Sequence, residues 1–414
     1  MKIKSIKKIR LEKEKSFYDI TVDVYHNFII GESKILTHNS SLNGAIIGMA
    51  QDFKNSMALL DGIGQFGSLR SPEPGAPRYI STKLNSNFRL LYKDFDLLES
   101  QWDEGVEIEP KFFLPIIPAV LLNGSSGIAV GFSTNILNRN PLDLIDACLK
   151  TLDNKKFAEP LPWWKYYNGE VVKLDKDSSS FQIKGRYEII NTTTIRITEL
   201  PPSMTYQKYE LHLNSLQDKG IIQYYDDNCK KDINYTVKFS RQELATRLEK
   251  GQLEGLLKLV ENETENLTCL DENGNLIVFS SVTDLIKHFT CFRLGFYEKR
   301  KRKQVEDLTR QNLILNNRSR FIKSIIDGKL KPNNRPKVDI ISDLTKAKFD
   351  TIDDSFDYLL NMSIYSLTKE KYEDLLAQIE KNVLEIKKIE SVAPIDLYKE
   401  DLQNLKKSIK ISKI

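Results

Sequence analysis

The sequence predicts a multidomain protein of the α+β class, and three features carry that prediction. The chain has 414 residues, enough for two or three domains with hydrophobic cores of their own. Between residues 151 and 280, short apolar runs alternate with turns and with helical stretches near 205–219 and 240–260, as in a domain of mixed sheet and helix. From residue 283 onwards, apolar residues recur at helical spacing in two long segments, residues 283–325 and 368–389, and those of the second segment are expected to face inward: Leu375, Leu376, Ile379, Val383, Ile386 and Ile389. Separate cores of different character are therefore expected along the chain.

The composition limits the classes of protein to which the chain can belong. Charged residues make up 29% and hydrophobic residues 40%, typical of a globular protein, and the net charge of +4 restricts any nucleic-acid surface to a local patch. Cys148, Cys229, Cys269 and Cys291 include no C-x-x-C pair, which argues against a zinc site or disulfide framework and fits a reducing cytosol. No apolar run approaches the roughly 20 residues of a membrane span. A cytoplasmic protein with no membrane partner is expected.

Residues 1–39 form a lysine-rich segment that differs from the rest of the chain. Its short β-type runs, separated by polar turns, predict a small β-rich module. The segment ends in His38-Asn39 and is followed by Ser40. The Asn39 amide can attack its own backbone carbonyl and cleave the next peptide bond, while His38 polarises that carbonyl or protonates the leaving amine. The Ser40 hydroxyl can accept an acyl group.

The main chemical signal lies between residues 61 and 79. The loop over residues 61–68 contains three glycines, which let a backbone approach a ligand closely. Arg78-Tyr79 then sets a phenol beside a guanidinium that can neutralise phosphate. Because the ordinary pKa of tyrosine is about 10, its hydroxyl needs a cation, a base or a metal beside it to act as a nucleophile. These are the groups needed to attack a phosphodiester. Lys83 is either a contact to the DNA backbone or a solvated surface lysine.

A second candidate site follows an apolar stretch. Residues 112–122 predict a buried strand and turn, and the small, glycine-rich segment of residues 123–131 comes next. Ile128 lies between Gly127 and Ala129, on a backbone that can approach a partner closely. Taken alone, Ile128 would be assigned to the core.

Other features have two interpretations each. The aromatic pairs Trp163-Trp164 and Tyr166-Tyr167 are either stacking platforms or packing residues. The run Lys299–Lys303 is either a solvated helix face or a contact to DNA phosphate. His212 and His288 lie in helix-like segments and are interpreted as structural. The lysine-rich tail, residues 406–414, is expected to fray.

Three motifs in this order, at residues 61–68, 76–79 and 123–131, resemble the breakage–reunion subunit of type IIA DNA topoisomerases. That family includes gyrase A, its topoisomerase IV counterpart and the medium subunit of the T-even-type phage enzyme. The resemblance runs from about Ser40 to near the C-terminus and favours the phage subunit, because the chain stops soon after its second long helix. A bacteriophage protein acting in the host cytoplasm is expected.

The resemblance implies that Tyr79 attacks a DNA phosphate and holds it as a 5′-phosphotyrosine, with Arg78 stabilising the transition state. It also implies that Ile128 wedges between bases and bends the duplex. The predicted helix over residues 40–52 resembles the recognition helix of a winged-helix unit, so that Ser41 and Asn43 are expected to contact DNA.

The same resemblance implies the partners and cofactors. Subunits would cleave and reseal double-stranded DNA, form a homodimer through a C-gate and pair with an ATPase/TOPRIM subunit. The sequence contains neither a P-loop nor a clustered acidic metal site, so Mg²⁺ and ATP are expected to bind to that partner and no metal to this chain.

Residues 1–39 resemble the C-terminal fragment of a split intein of the Hint type. An upstream polypeptide carrying the N-extein and the N-terminal intein half would then be joined to this chain by trans-splicing, which completes the winged helix. The resemblance assigns five residues to splicing: Asp19 and His26 to acyl transfer and cyclisation, His38 and Asn39 to cyclisation, and Ser40 to acyl acceptance.

Four domains are therefore expected. They are an intein fragment (residues 1–39), a partial winged-helix domain with the active-site tyrosine (40–150), a tower domain (151–282), and a long coiled coil with a C-gate (283–414). Two alternatives remain open. The chain is a non-catalytic DNA-binding scaffold, or its first 39 residues are an inert intein relic.

Overall fold

A computed structural model describes residues 5–10, 16–21, 27–30, 35–129, 131–175, 179–230, 232–331, 335–363 and 368–409. Two compact units are present: Met1–Cys291 with Asp401–Ile414, and Phe292–Glu400. Over the described residues, no helix combines the length and the apolar character needed to cross a membrane.

The first unit begins with two antiparallel hairpins. One pairs β1 (Ser5–Arg10) with β2 (Ser16–Thr21), and the other pairs β3 (Asn27–Ile30) with β4 (Ile35–His38). The predicted β-type runs near the N-terminus are thus present as strands. Helix α1 (Asn39–Ala50) begins on the residue after β4, one residue before the predicted start.

The next elements form the surroundings of the tyrosine motif. Strands β5 (Leu60–Ile63) and β6 (Ser81–Leu84) pair antiparallel, and the 3₁₀ turn Pro77–Tyr79 immediately precedes β6. Beyond them come α2 (Phe88–Leu91), the 3₁₀ turn Phe95–Leu97, and the hairpin of β7 (Gln101–Asp103) and β8 (Val106–Ile108).

Most apolar side chains of residues 112–122 are buried as predicted, but Phe113 is 53% exposed and the stretch contains no strand. Leu114, Ile116 and Leu121 are at most 4% exposed. Helix α3 (Ala119–Asn123) forms because the backbone N–H groups of Leu121 and Leu122 both donate to the carbonyl of Pro118 at 3.1 Å. Proline fits the start of a helix because its missing N–H would have no intrahelical acceptor there.

A hairpin of β9 (Ser125–Ala129) and β10 (Phe132–Ile136) follows, and then α4 (Pro141–Leu152). The side chain of Asn140 caps α4 by accepting a hydrogen bond from the backbone N–H of Leu142 at 2.9 Å. Over the described residues, β9 and β10 form a sheet of two strands.

The predicted mixture of sheet and helix is present between residues 151 and 282. A three-stranded sheet has the order β11-β12-β17 and a four-stranded sheet the order β13-β14-β16-β15. The apolar faces of β14 and β16 pack against α5 and α6 in one buried core. The strands are β11 (Glu170–Lys173), β12 (Ser180–Lys184), β13 (Arg186–Asn191), β14 (Thr194–Glu199), β15 (Tyr224–Asp227), β16 (Tyr235–Lys238), β17 (Val260–Thr264), β18 (Thr268–Leu270) and β19 (Leu276–Val278). The helices are α5 (Tyr206–Asp218), α6 (Arg241–Glu249) and α7 (Leu253–Leu256).

One predicted helix, over residues 240–260, is divided. Helix α6 ends where Gly251 adopts a left-handed φ of +61°, a conformation that glycine takes at low cost after a helix. A short helix, α7, and strand β17 occupy the rest of the stretch.

Helices dominate the second unit and the end of the chain. They are α8 (Val282–Ile326), α9 (Lys337–Lys346), α10 (Asp357–Leu360), α11 (Lys369–Ser391) and α12 (Pro394–Ser408). The two predicted long helices correspond to α8 and α11. Within the second unit, the rings of Tyr297 and Tyr398 stack with centroids 4.5 Å apart.

Two predictions about this helical part are wrong. On α11, Leu376 and Val383 are exposed rather than inward, because the packed stripe of this helix is narrow and centred on Leu375, which is 4% exposed. The prediction that the lysine-rich tail frays is wrong for residues 406–408, since α12 continues to Ser408, and residues 410–414 lie outside the described residues. Leu402 and Leu405 are fully buried, and the ammonium of Lys406 forms an ion pair with Asp146 at 2.5 Å.

Candidate active site

Tyr79 lies at the end of the 3₁₀ turn Pro77–Tyr79, and its side chain is 77% exposed. Proline fixes φ near the helical value at the start of the turn. The turn closes through a hydrogen bond from the backbone N–H of Tyr79 to the carbonyl of Ala76 at 2.9 Å. Ile80 then takes an extended conformation and leads into β6. The phenol is thus held on a short, defined turn and is open to a large ligand.

Arg78 lies beside the phenol, as the sequence predicts. Its guanidinium carbon is 5.6 Å from the centroid of the Tyr79 ring, within the range of a cation–π contact. Arg78 is also exposed. One phosphate can therefore reach both side chains.

The glycine loop packs directly against this turn. Gly64 has a φ of +104°, and a Cβ atom there would lie 3.2 Å from Cγ2 of Ile80 and 3.3 Å from the carbonyl oxygen of Tyr79. The backbone N–H of Gly75 donates to the carbonyl of Gln65 at 2.8 Å. The loop thus sets the backbone position of the tyrosine, a role that requires glycine at position 64.

Two long-range anchors of this loop were not predicted from the sequence. The Gln51 amide, 2% exposed, donates to the carbonyls of Phe66 at 2.8 Å and Pro72 at 3.2 Å. The guanidinium of Arg70 donates to the Asp227 carboxylate at 2.8 Å and to the carbonyl of Cys229 at 3.0 Å. For Gln51, the only local indication of an anchoring role is its position directly after a helix. For Arg70, no neighbouring residue in the sequence indicates that its partner is Asp227.

The carboxylate of Asp227 responds to these neighbours. Partial burial raises the pKa of Asp227, but hydrogen bonds from Cys229 and the charge of Arg70 outweigh it and hold the pKa below its ordinary value. Asp227 is therefore ionised at neutral pH and available to hold Arg70.

Lys83 is exposed on β6, opposite Asp61 in the β5–β6 pair. It borders a polar groove of about 920 Å³, which is also lined by the glycine loop and Lys165. The amide of Asn85 donates to the Asp61 carboxylate at 2.5 Å. Lys83 can therefore reach a ligand in the groove.

Ile128 lies on β9, opposite Ser133 of β10, and is 93% exposed. The assignment of Ile128 to the core, made from the residue alone, is wrong. Phe132 is 56% exposed and Leu270 of the neighbouring hairpin is 68% exposed, and both line an apolar groove of about 630 Å³. An apolar side chain this exposed on a hairpin is free to enter another molecule.

The remaining predicted residues near the N-terminus are only partly described. Asn43 is half-buried on α1, and Ser41 is described by its backbone alone. His26 lies outside the described residues. The other four residues assigned to splicing are described by their backbones: Asp19 on β2, His38 on β4, and Asn39 and Ser40 on α1.

The aromatic pairs pack against protein. The rings of Trp164 and Tyr167 meet edge to face with centroids 6.0 Å apart. The Tyr167 hydroxyl donates to the carbonyl of Lys184 at 2.6 Å, and the Tyr166 hydroxyl donates to the Asp52 carboxylate at 3.0 Å. These contacts favour the packing interpretation.

The basic run on α8 has contacts within its own unit. The Lys301 ammonium donates to the carbonyls of Glu390 at 2.7 Å and Val392 at 2.8 Å, which stabilises the C-terminal end of α11. The Arg302 guanidinium lies 3.9 Å from the Glu306 carboxylate. Lys301 and Arg302 of the run therefore have partners within the protein.

The histidines have structural contacts. A ring nitrogen of His212 is 2.8 Å from the carbonyl oxygen of Leu256, and burial lowers the pKa of His212. His288 lies against the ring of Phe279. Within the described parts of the chain, no three His, Cys, Asp or Glu residues are grouped so as to hold a metal ion.

Comparison with known proteins places this arrangement in a family. The family of the A subunits of DNA gyrase and topoisomerase IV matches residues 31–403. The chain belongs to this family. The match confirms the family predicted from the three motifs.

Relatives of this gyrase A-like chain include phage and eukaryotic proteins. The DNA topoisomerase medium subunit of Enterobacteria phage T4 is 31% identical over 363 residues, which cover 86% of this chain and 80% of that protein. DNA topoisomerase 2 of Arabidopsis thaliana is 32% identical over 419 residues, which cover 89% of this chain and 28% of that protein. The chain thus spans less than a third of the Arabidopsis relative.

A solved structure gives the same result for the fold. The DNA-binding, cleavage and re-ligation domain of Plasmodium falciparum topoisomerase II is 31% identical and superimposes with a TM-score of 0.82. The match covers 89% of this chain and 55% of that one. The predicted mixture of helix and sheet is therefore confirmed as the fold of this domain.

Proposed function

We propose that the chain is the subunit of a type II DNA topoisomerase that cleaves and reseals double-stranded DNA. The observation that carries this proposal is the exposed Tyr79, set beside Arg78 on a turn whose backbone is fixed by Gly64. A buried tyrosine could not reach the backbone of a duplex, and an exposed one without a cation would be a poor nucleophile.

In the proposed reaction the Tyr79 oxygen loses its proton and attacks a DNA phosphorus atom. The bond from phosphorus to O3′ breaks, O3′ leaves with the electron pair and takes up a proton, and the 5′-phosphate remains on the tyrosine. Arg78 stabilises the negative charge that builds up on the phosphoryl oxygens. Resealing is the reverse attack by O3′, so the phosphodiester energy is kept in the protein–DNA bond.

Two cofactors belong to the proposal through the family. ATP and Mg²⁺ would be bound by an ATPase/TOPRIM partner, and Mg²⁺ supplies charge neutralisation at the scissile phosphate when bound. The described residues of this chain do not by themselves fit a metal site, since they contain no cluster of three suitable side chains. A homodimer through a C-gate completes the proposed assembly.

The test is a covalent-complex assay. The subunit, joined to the upstream polypeptide by the proposed trans-splicing, is mixed with its partner, Mg²⁺ and supercoiled plasmid, and the reaction is stopped with detergent. Linear plasmid carrying covalently bound protein is expected. A complex that binds plasmid but yields no linear form would instead support the non-catalytic scaffold.

Residues 1–39 are proposed to be a split-intein fragment that is removed by trans-splicing. The family match begins at residue 31, so residues 1–30 lie outside it and residues 31–39 within it, and the proposal depends on the His38-Asn39-Ser40 junction at the boundary between β4 and α1. Helix α1 starts at this junction. Under the proposal, an upstream polypeptide completes the winged-helix unit that contains α1 only after the peptide bond between Asn39 and Ser40 is cleaved.

Co-expression with the upstream intein half and its extein tests this second part. A ligated product that starts its extein at Ser40 is expected, and Asn39→Ala should abolish it. Asn43→Ala, on the other side of the junction in α1, serves as the matched control and should splice normally. Unaltered mature protein that keeps residues 1–39 would show the fragment to be an inert relic.

Ile128→Ala should reduce DNA bending. The substitution removes roughly 2 kcal/mol of apolar contact with the base stack, which lowers the ratio of bent to straight duplex about tenfold or more. End-to-end energy transfer in a labelled duplex measures the ratio. Ile189→Ala, at a 54% exposed isoleucine of β13, is the matched control. Equal bending in the two variants would contradict the wedge role.

Gly64→Ala should weaken both the fold and the cleavage reaction. A side chain at a φ of +104° costs about 1–3 kcal/mol of unfolding free energy, and the added methyl group pushes the Tyr79 turn away. Urea unfolding and covalent-complex yield measure the two effects. Gly75→Ala, between the loop and the Tyr79 turn, is the control, because a Cβ there would make only ordinary contacts at 3.5 Å or more. Similar losses in both variants would show that the close approach at Gly64 is unimportant.

A further inference from the structure

The base of the β9–β10 hairpin, which carries Ile128, is held by a segment more than a hundred residues later in the chain. The backbones of Asn135 and Asn266 exchange hydrogen bonds of 3.0 and 2.9 Å as an antiparallel bridge. The Asn266 amide also donates to the carbonyl of Ser133 at 2.7 Å, and the Asn135 amide donates to the carbonyl of Thr264 at 2.9 Å. Ser133 and Asn135 lie on β10, the strand that pairs with the strand of Ile128.

A buried ion pair lies directly beneath this bridge. The Glu265 carboxylate is 2.7 Å from the Arg139 guanidinium, and the two side chains are 3% and 0% exposed. The other carboxylate oxygen accepts a hydrogen bond from the backbone N–H of Leu137 at 2.9 Å. Arg139 donates further to the carbonyls of Pro160 at 2.8 Å and Leu137 at 2.9 Å. The Glu265 carboxylate thus links the end of β10 to the segment after β17.

A buried ion pair contributes little net stability, because its desolvation cost offsets much of the attraction between the charges. Removing two charges from water costs several kcal/mol per ion, and well-packed apolar residues of similar volume often do as well. What the pair provides is a fixed geometry, since both groups must keep their partners. The Arg139–Glu265 contact therefore determines where the base of the hairpin lies.

The hairpin needs such support if it is to insert Ile128 between base pairs. A two-stranded hairpin alone is marginally stable, and all five residues of β9 are exposed. Forcing a side chain between base pairs costs a few kcal/mol of unstacking. If the hairpin could tilt, contact with the duplex would displace the hairpin instead of separating the base pairs.

We infer that Glu265 and Asn266 are positioning residues for Ile128: they hold the hairpin rigid so that Ile128 can bend the duplex. This inference rests on the proposed function, in which Ile128 is the wedge. It adds a part of the predicted tower domain to the DNA-bending machinery of the neighbouring domain.

The experiment measures bending and cleavage of one duplex by the assembled enzyme. A donor–acceptor-labelled duplex of about 30 base pairs is titrated with wild type, Ile128→Ala, Asn266→Ala and Glu265→Gln. Asn275→Ala is the matched control, because the hydrogen bonds of Asn275 to described residues stay within the β18–β19 turn, at Asp271. Asn266→Ala keeps its backbone bridge to Asn135, so it retains the fold even if Glu265→Gln does not.

Asn266→Ala is expected to lower the ratio of bent to straight duplex about fivefold, the effect of losing the hydrogen bonds from the Asn266 amide to the carbonyl and hydroxyl oxygens of Ser133. Asn275→Ala should match wild type. A duplex that is already kinked by an unpaired nucleotide at the wedge step should restore cleavage by Asn266→Ala and Ile128→Ala but not by Tyr79→Phe. A general loss of stability would not be rescued in this way.

The possible results distinguish the positioning role of Glu265 and Asn266 from the wedge role of Ile128. Wild type that leaves the duplex straight would overturn the wedge role of Ile128 and the inference together. If Ile128→Ala loses bending while Asn266→Ala bends and cleaves like wild type, the wedge role stands and the inference fails. Loss of bending in Asn266→Ala without rescue on the kinked duplex would also refute it.

Discussion

Tyr79→Phe is expected to abolish the covalent protein–DNA complex and all relaxation of plasmid, a loss of at least about 10⁴-fold, as when other catalytic nucleophiles are removed. The substitution deletes only the oxygen that attacks phosphorus. The ring, its contact with Arg78 and the 3₁₀ turn remain, so duplex affinity and melting temperature should stay at the wild-type values.

Gel analysis of detergent-stopped reactions measures the covalent complex, and filter binding measures affinity. Tyr224→Phe is the matched control, since Tyr224 is also exposed, at 44%, but lies on β15, outside both the 3₁₀ turn and the glycine loop. Residual linear plasmid in Tyr79→Phe would mean that another group attacks the DNA, and the assignment of the nucleophile would be wrong.

Arg78→Ala should slow the cleavage step by about 10²–10³-fold, the usual cost of removing one preorganised group that stabilises transition-state charge. Binding should weaken much less, because a single phosphate contact adds little to the affinity for a long duplex. Arg78→Lys should recover only part of the rate, since an ammonium is a point charge and lacks the planar fork of the guanidinium.

Single-turnover cleavage with excess enzyme separates the rate of the chemical step from affinity. Arg196→Ala, on β14, removes a partly exposed arginine whose nearest acid, Glu188, is 3.8 Å away, and it controls for the loss of positive charge. An equal decrease in rate for Arg78→Ala and Arg196→Ala would show that Arg78 acts only through overall charge.

The sequence was sufficient for those features that depend on neighbouring residues. Alternating runs gave β12, β14 and β16, because the strand period is local. The pair Arg78-Tyr79 was likewise recognised from adjacent residues, because a phenol beside a guanidinium is a local feature. Motif order then identified the family, although no single motif would have done so.

Local reasoning failed where burial depends on distant partners. Residues 120–122 were predicted to form a strand because apolar runs do not distinguish a strand from a short helix. They form a helix, in which the carbonyl of Pro118 accepts hydrogen bonds from the backbone N–H groups of Leu121 and Leu122. Helix α12 was missed although Tyr398, Leu402 and Leu405 follow a helical stripe and are all buried. Ile128 illustrates the opposite case, since its apolar character alone predicted burial and the hairpin leaves it exposed.

The sequence by itself determined which groups this protein has for DNA chemistry: a phenol beside a guanidinium after a glycine loop, and an isoleucine in a small-residue hairpin. The tertiary structure alone decided how those groups are held. Arg70 meets Asp227 across 157 residues, and Arg139 meets Glu265 across 126. Such contacts leave no periodic trace in the sequence, because each depends on one pair of side chains that only the folded chain brings together.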